Sequence, residues 1–326
     1  MITRRELLKR TVAGGSAAAV AHLLPPALGR AYAGSQAGSA PADALATMRR
    51  QMAGTPVEVT RLTPWITVFS GPGGNVTVRH GDEGKVVIDT FVQGTFRDLK
   101  SRLDALGPTP ILNVINTHWH FDHTDNNASF RELGVEIIAH ENAKRRLTES
   151  HDLLGMHFSA SPANALPTRT FAHVDTLRFD IPGIEEYVHI EHIAPAHTDG
   201  DLVVQFPLGE VLVLGDIFTN GMYPFIDAGT GGKVKGMLAA VDDALKIADP
   251  ETTKVVPGHG AVGNRAALMA YRDMLGTVAD RVQTLKAQGL PEREVVARKP
   301  TAEFDAKWGG GFLMPDVFVG VVYNTL

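Results

Sequence analysis

The stretch NTHWHFDHTDNN, Asn116 to Asn127, constrains this chain more than any other. It places His118, His120, Asp122 and His123 within six residues, just after the apolar run ILNVINT. In an extended segment, residues i and i+2 point the same way. His118 and His120 therefore aim at one point as the chain leaves a strand. Asp122 and His123 come where the chain turns toward a helix, and they aim at a second point nearby. Packed bare in a core, such groups carry a high desolvation cost. As ligands of a borderline cation such as zinc they are well suited. A solvated loop that happens to be rich in histidine is the bland alternative. The chain has only 13 histidines in 326 residues, which makes that clustering a rare coincidence. It has no cysteine, so disulfides, thiol nucleophiles and thiolate ligands are excluded together.

One cluster does not close two metal sites, so further ligands are expected at other strand ends. APAHTDGDL places His197 before the apolar strand LVVQF. VLVLGDIF places Asp216 just past another strand, and VVPGHGAVG places His259 after a third. Open α/β sheets collect ligands in such loops. Glycines on both sides of His259 let the backbone approach closely.

The rest of the chain gives these residues a frame. VEVTRL, WITVFS, NVTVRH and KVVIDT are short β-branched runs separated by Gly, Pro and Asp, and they predict consecutive antiparallel strands. FRDLKSRLDALG has helical spacing and ends at Gly107. DNNASFRELG predicts a helix begun by Asp125. Strands VEIIAH, YVHIEHI, LVVQF, VLVLG and TKVVPG follow, with helices in VKGMLAAVDDALKIA and in residues 264–289. Strands followed by alternating strands and helices, twice over, predict two facing sheets with helices outside, an α/β layered sandwich.

THWHFDH, AHTDGD, LGD and PGHG, in this order, resemble the metallo-β-lactamase fold superfamily from roughly Val57 to Gly263. The resemblance implies a four-layer αβ/βα sandwich with two zinc ions at the sheet edges. His118, His120 and His197 would hold the first ion, Asp122, His123 and His259 the second, and Asp216 would bridge both. It implies a hydrolase in which a metal-bound hydroxide attacks the carbonyl of a β-lactam, lactone or other ester or amide. Asp122 would be the catalytic residue that orients the nucleophile and handles its proton. Asp216 stands where familiar β-lactamases of this fold have Cys or Ser, and is more similar to glyoxalase II and lactonases. A glyoxalase-II-like thioesterase, a mononuclear iron sulfur dioxygenase and a non-catalytic metal-binding protein remain as alternatives. Asn75 and Tyr223, in the loops SGPGGN and TNGMYPFIDAGTGG, are candidate substrate contacts. His80, His140, His151, His157, His173, His189 and His192 read as surface or structural residues, with a substrate contact as a second reading for His151 and His157, in a loop near the site.

The N-terminus reads as a separate unit. TRRELLKR, a weakly apolar stretch and the small-residue signal AYA occur in the order of a twin-arginine export signal covering residues 1–33. Residues 34–55 read as a linker with a short helical patch, and residues 56–326 as the hydrolase domain. The expected location is the periplasm or the exterior, and the expected partner is the twin-arginine export machinery. The apolar stretch is too short for a stable membrane span. Residues 1–33 carry five basic groups against Glu6, so their removal takes the net charge from −5 to −9. Such a body has no general attraction for nucleic acid, and a small-molecule substrate is expected.

Overall fold

The computed structural model describes residues 44–326, apart from 182 and 183. The expected export signal and the expected linker as far as residue 43 lie outside the described residues. Residues 44–53 form helix α1 (Ala44–Ala53), with Met48 and Met52 buried. This is the short helical patch expected within residues 34–55, and it packs on the body of the protein. Two methionines four residues apart share one helix face, and that face packs with Met156 and Phe158.

The strands in chain order are β1 (Glu58–Arg61), β2 (Ile66–Gly71), β3 (Gly74–Gly81), β4 (Gly84–Ile88), β5 (Ile111–Ile115), β6 (Glu136–His140), β7 (His151–Leu153), β8 (Met156–Phe158) and β9 (Arg169–Phe171). All but β7 and β8 form one sheet in the order β1-β2-β3-β4-β5-β6-β9. Pairing is antiparallel up to β4 and parallel beyond it. Strands β7 and β8 make a separate hairpin. The second sheet contains β10 (Val174–Ile181), β11 (Ile184–His192), β12 (Leu202–Phe206), β13 (Val211–Thr219), β14 (Lys254–His259) and β15 (Gly263–Asn264), also in chain order. Strand β10 was missed in the sequence, where VDTLRFDI mixes charge with apolar residues.

Alternation along each strand builds the layers. Val86 and Ile88 of β4, Ile115 of β5 and Ile138 of β6 meet Val204, Val213 and Val256 between the sheets. The alternate residues Val87, Val114 and Ile137 face the opposite way. They pack with Leu99 and Leu103 of α2 (Phe96–Ala105) and with Phe130, which lies beyond the short helix α3 (Phe121–Thr124) in α4 (Asn127–Glu132). Helix α5 (Glu141–Leu147) follows β6. The second sheet is covered by α6 (Val234–Ile247), α7 (Arg265–Ala287), α8 (Glu292–Ala297), α9 (Asp305–Trp308) and α10 (Pro315–Thr325) in one core with Leu212, Leu214 and Val255. The architecture is the four-layer αβ/βα sandwich. No helix among the described residues is long and apolar enough to cross a membrane.

Connectivity brings the ligand loops to one edge. Strands β4 and β5 are parallel, as are β13 and β14, so Asp89 and the segment from His118 to His123, just past strand ends, His259, which ends β14, and Asp216, in the irregular last part of β13, share the carboxyl edge. Strand β12 runs antiparallel to β13, which puts the loop before β12, with His197, at that same edge. Two crossings tie the sheets there. The Leu202 amide donates to the Thr117 carbonyl at 2.8 Å, and the Asn75 side chain donates to the carbonyls of Pro257 at 2.8 Å and Gly260 at 2.9 Å.

Candidate metal centre

Segment 116–124 leaves β5 and enters α3 almost at once. His120 is the extended N-cap residue, so His118 and His120 point together before the helix turns Asp122 and His123 elsewhere. Nε2 of His118 lies 3.0 Å from Nδ1 of His120, and Nε2 of His197 lies 2.9 Å from that same nitrogen. Asp216 sits inside β13, where the strand continues through a register shift at Gly215 rather than ending. Gly215 has a φ of 51°, and a side chain there would strike Thr117. The irregularity turns the next residue inward. The Asp216 carboxylate then lies 3.4 Å from His123, 3.3 Å from His259 and 3.7 Å from His197. Asp122 is 3.4 Å from His259 and 3.8 Å from His123. The structure thus brings together all seven sequence-predicted ligands, in overlapping groups that each have ligand atoms within 4.8 Å of one another.

The outward ring nitrogens of four of the five histidines are engaged. His120 Nε2 lies 3.2 Å from Asp227, His123 Nδ1 2.8 Å from Asp89, and His197 Nδ1 2.8 Å from the Phe225 carbonyl. The Thr117 hydroxyl donates to Asp89 at 2.8 Å and is left to accept from His118 Nδ1 at 3.1 Å. Acceptors on the outer side place the ring protons outward, so the inward nitrogens of His118, His120 and His197 present lone pairs to one another. A cation resolves that conflict, and three imidazoles are a zinc-type donor set. His123 Nε2 and Asp216 Oδ1 are buried without a hydrogen-bond partner, which also fits a bound ion.

The family model described as the metallo-beta-lactamase superfamily matches residues 71–259, more than half of the chain. The chain belongs to the metallo-beta-lactamase superfamily. It is 26% identical over 186 residues to a probable metallo-hydrolase of Methanocaldococcus jannaschii, covering 56% of this chain and 85% of that protein. It is 28% identical over 149 residues to the 2,4-dinitroanisole O-demethylase subunit alpha of a Nocardioides species, covering 45% of this chain but only 42% of that subunit. Among solved structures, a metallo-beta-lactamase from Pontibacter korlensis aligns with a TM-score of 0.56 at 20% identity, over 68% of this chain and 99% of that one. The inverting sec-alkylsulfatase Pisa1 from a Pseudomonas species aligns with a TM-score of 0.60 at 18% identity, over 90% of this chain and 54% of that one. At such identities these structures share the fold.

Two carboxylates that support this superfamily site were missed in the sequence. Asp89 ends β4 with a φ of 66° and takes hydrogen bonds from the Thr117 amide and hydroxyl as well as from His123. The signal was available, because Asp89 closes an apolar strand just as Asp216 follows one. Asp227 lies in the loop whose aromatic residues drew the reading away from it. Burial opposes its ionisation, yet hydrogen bonds from His120 and Thr230 hold its pKa down at about 2.

Asn75 and Tyr223 line the two cavities beside the metal ligands, but their polar atoms are committed. The Asn75 amide joins the two sheets. The buried Tyr223 donates to Asp305 at 2.8 Å and stacks on Phe318. Both are therefore tethers of the loops they occupy. His151 and His157 lie on the hairpin, His157 exposed beside Asp152 and His151 against Trp119. His140 stacks on His192, and His80 hydrogen-bonds Thr67.

The two halves of the site differ in proton affinity. Burial lowers His118 well below the usual imidazole range and His197 to about 4, so both are neutral at pH 7. Burial also opposes charge on His123 and His259, but there the carboxylates prevail. Asp89, Asp122 and Asp216 raise His123 well above its usual value, and Asp216 and Asp122 raise His259. An ion taking Asp122, His123 and His259 must displace protons, whereas one taking His118, His120 and His197 meets nitrogens that are already free. The second ion should accordingly be lost first as pH falls from 8 to 6. Its affinity should drop about tenfold per pH unit for each proton displaced. Metal titrations at each pH would expose the opposite order, or parallel loss of both ions, as contrary results.

Proposed function

We propose that this protein is a two-zinc hydrolase acting on a carbonyl centre in an ester, lactone or amide. The observation that carries the reading is the convergence of five imidazoles and two carboxylates, with Asp216 central to both groups. Two divalent ions bound there would lower the pKa of a water toward neutrality and polarise the carbonyl oxygen. The chain's own residues do the rest. Asp89, Asp227, Thr117 and the Phe225 carbonyl fix four of the five imidazoles. Asp122 lies between those groups and an apolar cavity, where its carboxylate can orient the attacking water and accept its proton.

Metal analysis after gentle purification should find two zinc ions per chain. One iron and no zinc would favour the dioxygenase alternative. A panel of penicillins, a carbapenem, lactones, thioesters, a phosphodiester and an aryl methyl ether, each with and without chelator, identifies the bond cleaved. The ether is included because of the Nocardioides relative. Chelator-sensitive turnover of a carbonyl compound supports the reading, and its absence across the panel sinks it.

Export by the twin-arginine route, with cleavage after Ala33 and release into the periplasm, belongs to this proposal. It rests on Arg4, Arg5 and the AYA sequence. Replacing Arg4 and Arg5 by Lys should leave uncleaved precursor in the cytoplasm. Normal processing of that variant would exclude the route.

A further inference from the structure

The more apolar of the two cavities beside the ligands opens directly onto His120, Asp122, Asp216 and His259 and measures about 70 Å³. Its far wall comes from three separate parts of the chain. Helix α1 supplies Met48 and Met52, the β7–β8 hairpin supplies Leu153 and Met156, and the later loops supply Phe225 and Phe312. Its only polar side chains other than the metal ligands are Thr219 and Tyr223. Their hydroxyls already donate to the Met222 carbonyl and to Asp305. A second cavity, on the other side of His259, is rich in glycine and carries Glu58. Among the described residues, no lysine or arginine lines either cavity.

We infer that the substrate is a neutral ester or lactone whose apolar chain lies against α1, the hairpin and Phe312. The inference rests on the proposed carbonyl hydrolysis and deepens it. A hydrocarbon chain is the one substituent the far wall can stabilise, by burial alone. A carboxylate at the far end of the substrate, away from the metal ligands, meets hydrocarbon in one cavity and Glu58 in the other, with no lysine or arginine in either lining to offset its desolvation. Penicillins and carbapenems carry such a carboxylate, so this pocket disfavours them.

Helix α1 is held in place by one latch. The Arg49 guanidinium pairs with both oxygens of Asp125 at 2.7 and 2.6 Å and lies 5.4 Å over the Phe121 ring. Asp125 follows the metal-ligand segment by two residues and also accepts from the Gln93 amide. Arg49 is thus a positioning residue. It fixes the methionine wall relative to the site without touching substrate.

The test uses the metal-loaded protein and 4-nitrophenyl esters from acetate to octanoate, beside esters of the same length ending in a carboxylate. Calorimetry with N-methylalkanamides of matching length reads binding without turnover. The expected result is a rise in kcat/KM and in amide affinity of about three- to fourfold per methylene until the pocket is full. Carboxylate-ended esters should lag by at least tenfold. Met52→Ser and Arg49→Gln should flatten the chain-length slope in both assays, Arg49→Gln through KM rather than kcat. No dependence on chain length in either assay, or preference for the carboxylate-ended esters, would overturn the inference. Amide binding that strengthens with length while no ester is cleaved would keep the pocket and reject the hydrolase reading. Ester cleavage with a flat amide series would do the reverse.

Discussion

Asp122→Asn should abolish nearly all turnover while the protein keeps at least one metal ion. His118, His120 and His197 close a three-nitrogen set without Asp122, and their outward nitrogens are fixed by Thr117, Asp227 and Phe225 rather than by Asp122. Three such ligands are enough to retain zinc. The Asp122 carboxylate lies 3.4 Å from His259 and borders the apolar cavity, so it can face both the second ion and a water approaching substrate. The amide offers neither an anionic ligand nor an acceptor for the water's proton. Losing both should lower the rate by about 10²–10⁴. Metal content and kcat on the best substrate of the panel check this together. Wild-type turnover would refute the role given to Asp122, and loss of both ions would refute the independence of the histidine set.

Most of the site was legible in the sequence because metal ligation leaves a dense local signature. Four ligands fall within six residues, and three more sit beside or at the end of apolar runs in the sequence. The sheets were legible for a related reason. Val86, Val87 and Ile88 form a continuous apolar run because both faces of that strand are covered, one by the opposite sheet and one by helices. What escaped depends on contacts distant in sequence. Asp89 and Asp227 matter only through the imidazoles they hold, 34 and 107 positions away. The docking of α1 depends on an ion pair across 76 positions. Asp216 was placed past a strand end because it follows the run VLVLG, whereas the positive φ of Gly215 makes an irregularity through which the strand continues. Tyr223 looked like a substrate wall because an aromatic residue among glycines gives no sign of a partner such as Asp305.

A substitution outside the ligand set should be nearly as damaging as loss of a ligand. Gly258 precedes His259 on β14, beside the irregular part of β13. A Cβ on Gly258 would overlap Oδ1 of Asp216 and come within 2.8 Å of the Gly215 carbonyl carbon and 2.9 Å of the Asp216 amide nitrogen. The two backbone atoms belong to the neighbouring parallel strand and have little room to retreat. The carboxylate is the part that can turn, and turning takes it from His123 and His259 together. Gly258→Ala should therefore leave the His118, His120 and His197 set loaded and empty the second position. Turnover should fall by about 10²-fold, the scale expected when reacting groups are misplaced by about 1 Å. Metal counting should show one ion where wild type shows two, with the circular dichroism spectrum unchanged. Two tightly held ions and undiminished kcat in Gly258→Ala would mean that Asp216 is not the shared ligand on which the proposed chemistry depends.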